Sequence, residues 1–461
     1  MASVDFGRYK RIVQYFWDPE PRNDDPYKSP MWCLGQRYSA AIRTRDDAFT
    51  NITHKPAPAH NEPPSDSEER HSPESLTPDE SLSSSLEEGL AYSESTGGSE
   101  NDEGWPPLFL DDFESRMWFT YRSNFPLIPK SQDPSAVAAM TFSVRLRSQL
   151  VDQAGFTSDA GWGCMIRSGQ SLLANALLIL QLGRGVPRLR RPVCVGRANT
   201  HAEWRRGTRQ DEERRLLSLF ADDPRAPFSI HKFVEHGATA CGKHPGEWFG
   251  PSATARCIEA LSNKREPAGL RVYITGDGSD VYEDSFMKVA RPDGVRFHPT
   301  LVLVGIRLGI SGVTPVYWEA LKESLQLSQS VGIAGGRPSS SHYFIGVQGS
   351  HFFYLDPHQT RPALPLHDDP KDYSPDDIES CHTRRLRRLH IKDMDPSMLI
   401  AFLIRDEEDW KTWRRSVSQV SGKAVIHVAD VQPALHGHGV EREGAVDEVE
   451  AFDDDDDDMT A

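Results

Sequence analysis

Cysteine is scarce. Only six occur in 461 residues, at positions 33, 164, 194, 241, 257 and 381. None falls in a C-x-x-C pair, and the spacings suit neither a disulfide framework nor a structural zinc site. The N-terminal Met1-Ala2-Ser3-Val4-Asp5 opens without the apolar core of a secretory signal. The longest apolar stretch, near Leu172–Leu182, is too short and too interrupted to span a bilayer. A reducing, cytoplasmic setting is therefore expected. The basic runs Arg188-Leu189-Arg190-Arg191 and Arg384-Arg385-Leu386-Arg387-Arg388 are short and lack interleaved aromatics, so no nucleic-acid partner is expected. No internal repeat is visible.

Apolar residues are also sparse, at 38%, which points to disorder in part of the chain. The net charge of −16 is concentrated in two places. Residues 61–103 hold thirteen acids against one Arg, and residues 441–461 hold eleven against one Arg. What remains is mildly basic. Residues 45–104, rich in Ser, Pro and Glu, cannot bury enough surface to offset their ordering entropy and read as a disordered insertion. The expected organisation is a partly ordered N-terminal segment (1–44), that insertion (45–104), a folded core (105–423) and a disordered acidic tail (424–461) with six aspartates at 453–458.

Within the core, residues 163–182 read as a helix with Leu173, Ala176, Leu177 and Leu180 on one face. Further helices are expected at 251–261, 314–325 and 406–417. Strands are expected at 270–275, 300–306 and 398–404, with a hairpin of 342–347 and 351–355 around Gly349-Ser350. The helices precede most strands without β-α alternation, which favours an α+β fold.

The chemistry lies in two segments. In Thr157-Ser158-Asp159-Ala160-Gly161-Trp162-Gly163-Cys164-Met165-Ile166-Arg167, a cysteine opens a helix behind two glycines. A thiol at a helix N-terminus is driven toward thiolate, and the Cys164 N–H is placed to serve an oxyanion. The alternative is a buried, packing cysteine. The second segment is Tyr354-Leu355-Asp356-Pro357-His358. Residues two apart in a strand share a face, so Asp356 is placed to orient His358 as a general base. The alternative is an Asp-Pro turn with an exposed histidine. His342 and His351 compete as bases. His54, His60, His71, His436 and His438 lack a rigid mount. No cofactor or metal is called for.

These segments, with Tyr343-Phe344-Ile345-Gly346, Trp118-Phe119-Thr120-Tyr121-Arg122-x-x-Phe125, Trp248-Phe249-Gly250-Pro251, Arg307-Leu308-Gly309 and Gly335-Gly336-x-Pro338, closely resemble the autophagin family. These are the cysteine proteases called autophagy-related protein four. The resemblance covers nearly all of 105–420 and the segment at Trp32. It implies a papain-like fold with a small extra domain, and a catalytic triad at Cys164, Asp356 and His358. It implies an oxyanion hole completed by Tyr121. It also implies a gate formed by Trp248, Gly335, Gly336 and Pro338, which admits only glycine at the cleaved position. By the residues alone, Trp248 reads as core and 335–338 as an ordinary turn.

The implied partner is the ubiquitin-like modifier of autophagy, both as free precursor and as phosphatidylethanolamine conjugate. Membrane contact is expected only through the lipidated substrate. A nuclear fraction and presence at the preautophagosomal structure are implied as well. Some members carry a cysteine four residues after the nucleophile, where this chain has Ser168. Trp105-Pro106-Pro107-Leu108 and Tyr9-Lys10-Arg11-Ile12 fit an aromatic-x-x-aliphatic docking pattern, against which Trp105 and Leu108 read as packing residues. A broader papain-like deubiquitinase and an inactive modifier-binding adaptor are the alternatives.

Overall fold

The computed structural model describes residues 20–27, 29–39, 104–150, 154–184, 200–264, 269–276, 278–335 and 340–433. Residues 45–103, Tyr9–Ile12 and the aspartate run lie outside them. In chain order the first elements are β1 (Met31–Cys33), β2 (Gln36–Tyr38), α1 (Pro107–Glu114), β3 (Arg122–Pro129), α2 (Ser135–Ala138), α3 (Phe142–Leu150) and β4 (Gly155–Ser158). Four helices follow: α4 (Cys164–Leu182), α5 (Thr200–Leu219), α6 (Ile230–Ala240) and α7 (Pro251–Asn263). Then come β5 (Arg271–Ile274), β6 (Asp280–Tyr282), α8 (Glu283–Ala290), β7 (Thr300–Arg307), α9 (Trp318–Ser324), β8 (Ser330–Gly335), β9 (His342–Gln348) and β10 (His351–Leu355). The chain closes with β11 (Arg361–Pro362), α10 (Pro375–Glu379), β12 (Arg388–His390), β13 (Ser397–Ile404), α11 (Glu407–Ser418) and β14 (His427–Ala429).

β13, Ser-Met-Leu-Ile-Ala-Phe-Leu-Ile, is buried at every position. Such an uninterrupted run suits a strand covered on both faces. It pairs antiparallel with β7 on one side and β8 on the other. The sheet runs β12-β10-β9-β8-β13-β7-β5, with the β1–β2 hairpin attached through β9. Alternate side chains enter different cores. Leu399, Ala401 and Leu403 meet the helical layer of α4 and α7. Met398, Ile400, Phe402 and Ile404 meet Trp410 and Trp413 of α11. The expected hairpin forms by a two-residue turn, with Gly349 at φ 55° in its first central position. α11 is capped by Asp406, whose carboxylate accepts from the Asp409 N–H.

Three expectations are corrected. α4 does not bury one face; every residue from Cys164 to Ile179 is buried, because the sheet lies on one side and α5, α6 and α7 on others. The span 314–325 opens as a 3₁₀ turn at Pro315–Tyr317 before α9 begins. Ordered structure also runs past 423. Val425 and Ile426 are buried, and β14 pairs parallel with β6. Trp105 packs edge-on to Phe353 and its indole donates to the Pro21 carbonyl, whereas Leu108 is 65% exposed.

Phe402 is fully buried, with its ring 5.4 Å from that of Trp413. Phe402→Ala is predicted to cost about 3–5 kcal/mol, read as a lower urea midpoint at unchanged slope.

Candidate active site

The nucleophile turn is built around one carboxylate. β4 delivers Asp159, whose backbone carbonyl accepts from the N–H groups of Trp162 at 3.1 Å and Gly163 at 2.8 Å. Its side chain accepts from the Arg122 N–H at 2.6 Å and from Arg167 Nε at 2.7 Å. Gly161 sits at φ 92°, where a side chain is strained. Gly163 is required for space, since a Cβ there would lie 2.3 Å from Asp159 Oδ2. Trp162 is buried edge-on to Phe156, and its indole donates to the Ser158 carbonyl. Cys164 is thereby fixed at the first position of α4, fully buried, with its N–H among the amides that lack an intrahelical acceptor.

Arg167, one turn on, binds Asp159 and Asp222 Oδ1 at 2.7 Å each, and Gln170 Oε1 at 3.1 Å. Asp222 Oδ2 in turn accepts from the Leu364 N–H at 2.8 Å. Every member of this chain is buried. Sequence reading passed over its role; Asp159 and Arg167 lie in the quoted motif, but nothing marks Asp222.

Asp356 and His358 meet through a turn after β10, not across a strand face as the spacing suggested. Asp356 Oδ1 accepts from the His358 N–H at 3.0 Å and faces His358 Nδ1 at 2.6 Å. The Asp-Pro turn and the orienting carboxylate are thus one device. Trp118 Nε1 donates to the Asp356 carbonyl at 2.8 Å, and the Tyr121 N–H donates to the Pro357 carbonyl at 2.8 Å. The Tyr121 ring stands edge-on to His358 at 5.4 Å. His342, weighed above as a rival base, is packed 5.2 Å from the His358 ring and 4.6 Å from that of Tyr354.

The electrostatics separate these groups. Burial pushes the Cys164 thiol up, but the hydrogen bond and charge of His358 outweigh it. The Ser341 backbone and the Tyr121 hydroxyl assist, and the thiol falls below its ordinary value. For His358, burial favours the neutral ring, but Asp356 and the Cys164 sulfur prevail and raise it to about 10. Asp356 is held well below the usual carboxylate range, because contacts with His358 and His342 overcome its burial. His342 drops to about 4, chiefly through burial. Burial and the adjacent sulfur push the Tyr121 hydroxyl far up, so it remains a donor. The result is a thiol shifted toward thiolate, facing a protonated imidazole, beside a neutral histidine. Ligand atoms of His342, Asp356 and His358 lie within 4.8 Å of one another. Asp356 and His358 Nδ1 already engage each other, which suits proton handling better than metal binding.

The residues of the expected gate are placed unevenly. Trp248 is buried in the loop entering α7, and among the described residues no hydrogen bond or ring contact joins it to Cys164, Asp356 or His358. Gly335 is the last residue of β8 and not part of a loop; a Cβ there would meet Met398 Cβ at 2.8 Å. Gly336 and Pro338 lie outside the described residues. Ser168 is buried, with Oγ 3.2 Å from Ser341 Oγ.

A buried cysteine at a helix start, facing an Asp-oriented histidine on an α+β sheet, defines a cysteine-type peptidase of papain-like fold. Comparison narrows the class. A family model described as the Peptidase C54 catalytic domain matches residues 106–416. The chain is 65% identical to the "Probable cysteine protease atg4" of Sclerotinia sclerotiorum over 463 residues, covering 99% of each chain. It is 55% identical to the namesake of Coccidioides immitis, covering 99% of this chain and 100% of that one. It is 52% identical to the "Cysteine protease ATG4" of Pyricularia oryzae, covering 99% and 98%. The chain belongs to the Peptidase C54 family, the cysteine proteases of autophagy.

Removing Arg167 leaves two carboxylates buried without their cation. Arg167→Met is predicted to lower stability by about 3–5 kcal/mol. Urea unfolding measures it, and an unchanged midpoint would remove the network from the account.

Proposed function

We propose that this peptidase cuts the ubiquitin-like modifier of autophagy after its C-terminal glycine and also releases that modifier from phosphatidylethanolamine. The observation that carries the reading is the Cys164–His358–Asp356 alignment at the N-terminus of α4. The Cys164 thiolate attacks the glycine carbonyl. The Cys164 N–H and the Tyr121 hydroxyl bind the resulting oxyanion. His358 then passes its proton to the departing amine, leaving a thioester on Cys164. Water, deprotonated by His358, attacks that thioester and frees the glycine carboxylate and the thiol. The precursor's tail and the lipid conjugate present the same bond, an amide on the glycine carbonyl. Only the departing amine differs, so one site serves both. Selection for glycine is assigned to the gate of Trp248, Gly335, Gly336 and Pro338, on the strength of the family resemblance. Full burial of Cys164 fits a narrow approach. A cytoplasmic location, with fractions in the nucleus and at the preautophagosomal structure, completes the reading.

Purified protein is expected to cut the modifier precursor under reducing conditions. Cys164→Ala should abolish cleavage, and His358→Ala and Asp356→Ala should lower the rate by roughly 10²–10⁴. A wild-type protein that binds the precursor without cutting it would sink the reading. Equal cleavage of ubiquitin fusions would replace it with a broader deubiquitinase.

The pH profile tests the proton assignment. A group with a raised pKa keeps its proton until the pH passes that value. The alkaline limb of kcat/KM is therefore predicted near pH 10. Asp356→Asn removes the carboxylate that holds this proton, and the limb should move down toward the ordinary value of 6.5. An unmoved limb would assign it to another group.

A further inference from the structure

Among the described residues, eleven large apolar side chains are strongly exposed, and five of them (Leu127, Val137, Phe142, Leu146 and Leu150) fall between residues 127 and 150. That concentration marks one segment of the surface. On α3, Phe142, Leu146 and Leu150 are 74%, 47% and 69% exposed. Spaced at i, i+4 and i+8, they form a single stripe along the helix. Only Val144 and Ser148, on the opposite side, are buried. α3 is thus a surface helix held by a narrow seam, with its apolar side outward.

Its charge has one sign. Arg145 and Arg147 flank the stripe, and no acid occurs between Pro134 and Leu150. The Lys130 ammonium lies against the C-terminal half of the helix, donating to the Ser148 carbonyl at 2.6 Å. Arg145 is steadied by the carbonyls of Ala138 and Met140. An apolar stripe with basic flanks on an exposed helix is the pattern of an interfacial helix on an anionic bilayer. The seam has a further meaning. A Cβ at Gly161 would lie 3.3 Å from Val144 Cγ2, so the helix rests directly on the turn that carries Cys164.

We propose that α3 is a membrane-docking element that seats the peptidase on anionic lipid through Phe142, Leu146 and Leu150, placing the nucleophile turn next to the bilayer surface. This departs from the expectation that membrane contact comes only through the lipidated substrate. Its purpose rests on the delipidation reading; its test does not. A stripe of three side chains gives weak, reversible attachment, which suits an enzyme that must leave after each cut.

The test uses the full chain and vesicles that carry no modifier. Wild type should co-sediment with vesicles containing about 30 mol % phosphatidylserine and should be released by about 0.5 M salt. The triple variant Phe142→Ser, Leu146→Ser, Leu150→Ser should bind at least about tenfold more weakly. Its kcat/KM on the soluble precursor should stay at the wild-type value, while release of modifier from vesicle-bound conjugate falls. Failure of wild type to bind the vesicles overturns the proposal, as does undiminished binding by the variant. A raised KM of the variant for the soluble precursor would also overturn it, assigning the stripe to the modifier itself. Loss of precursor cleavage in wild type would instead strike the functional reading and leave the docking result intact.

Discussion

One buried carboxylate, that of Asp159, is the joint on which the site turns. It accepts from the Arg122 backbone on one side and the Arg167 guanidinium on the other. Arg122 begins β3, immediately after Tyr121; Arg167 lies in the first turn of α4, three residues after Cys164. A single side chain therefore ties the start of β3, beside Tyr121, to the helix start that carries Cys164. Burying an ionised group is costly, and its partners must answer nearly all of its hydrogen-bonding capacity. That demand leaves Arg167 and Asp222 little freedom, and the helix start inherits their rigidity.

The second half of the site is also tied to the first by backbone. β11 pairs parallel with β3, which pairs antiparallel with β4. Tyr121 spans His358 by donating to Pro357 and accepting from Arg361. The histidine thus stands inside a bracket whose two ends are hydrogen-bonded to one residue. The neighbouring imidazoles then divide their roles by environment. His358 has the Asp356 carboxylate on one nitrogen and the Cys164 sulfur on the other, and holds its proton. His342 is packed among Tyr354, Phe344 and His358 rings and stays neutral.

Much of this was legible in the residues. The strands at 300–307 and 397–404, the hairpin at 342–355 and the helix from 164 carry strong periodicity or unbroken apolar runs, and they formed within a residue or two of the expected ends. The pair Asp356–His358 was legible as a pair, though the local rule invoked was the strand pleat when a turn joins them. What escaped the sequence is what depends on distance along the chain. β8 lacks alternation because both faces are buried. β1 and β11 are too short to announce themselves and join their sheets through the distant strands β9 and β3. Asp222 looks like any acid before a turn until Arg167 is brought to it. α3, with its apolar residues outward, runs against the rule that such residues face the core.

The small sheet of β11, β3 and β4 has a consequence for when the enzyme becomes an enzyme. Its strands come from opposite ends of the folded chain, and the bond from Trp118 to Asp356 closes a separation of 238 residues. Contacts of that span are slow to form, because the entropy of closing the loop must be met before they repay it. During synthesis the cysteine emerges long before its base. Until Arg361 reaches Tyr121, the nascent chain carries a thiol at a helix start with no imidazolium beside it. Proteolytic power is thus withheld by topology until both halves of the site have been made.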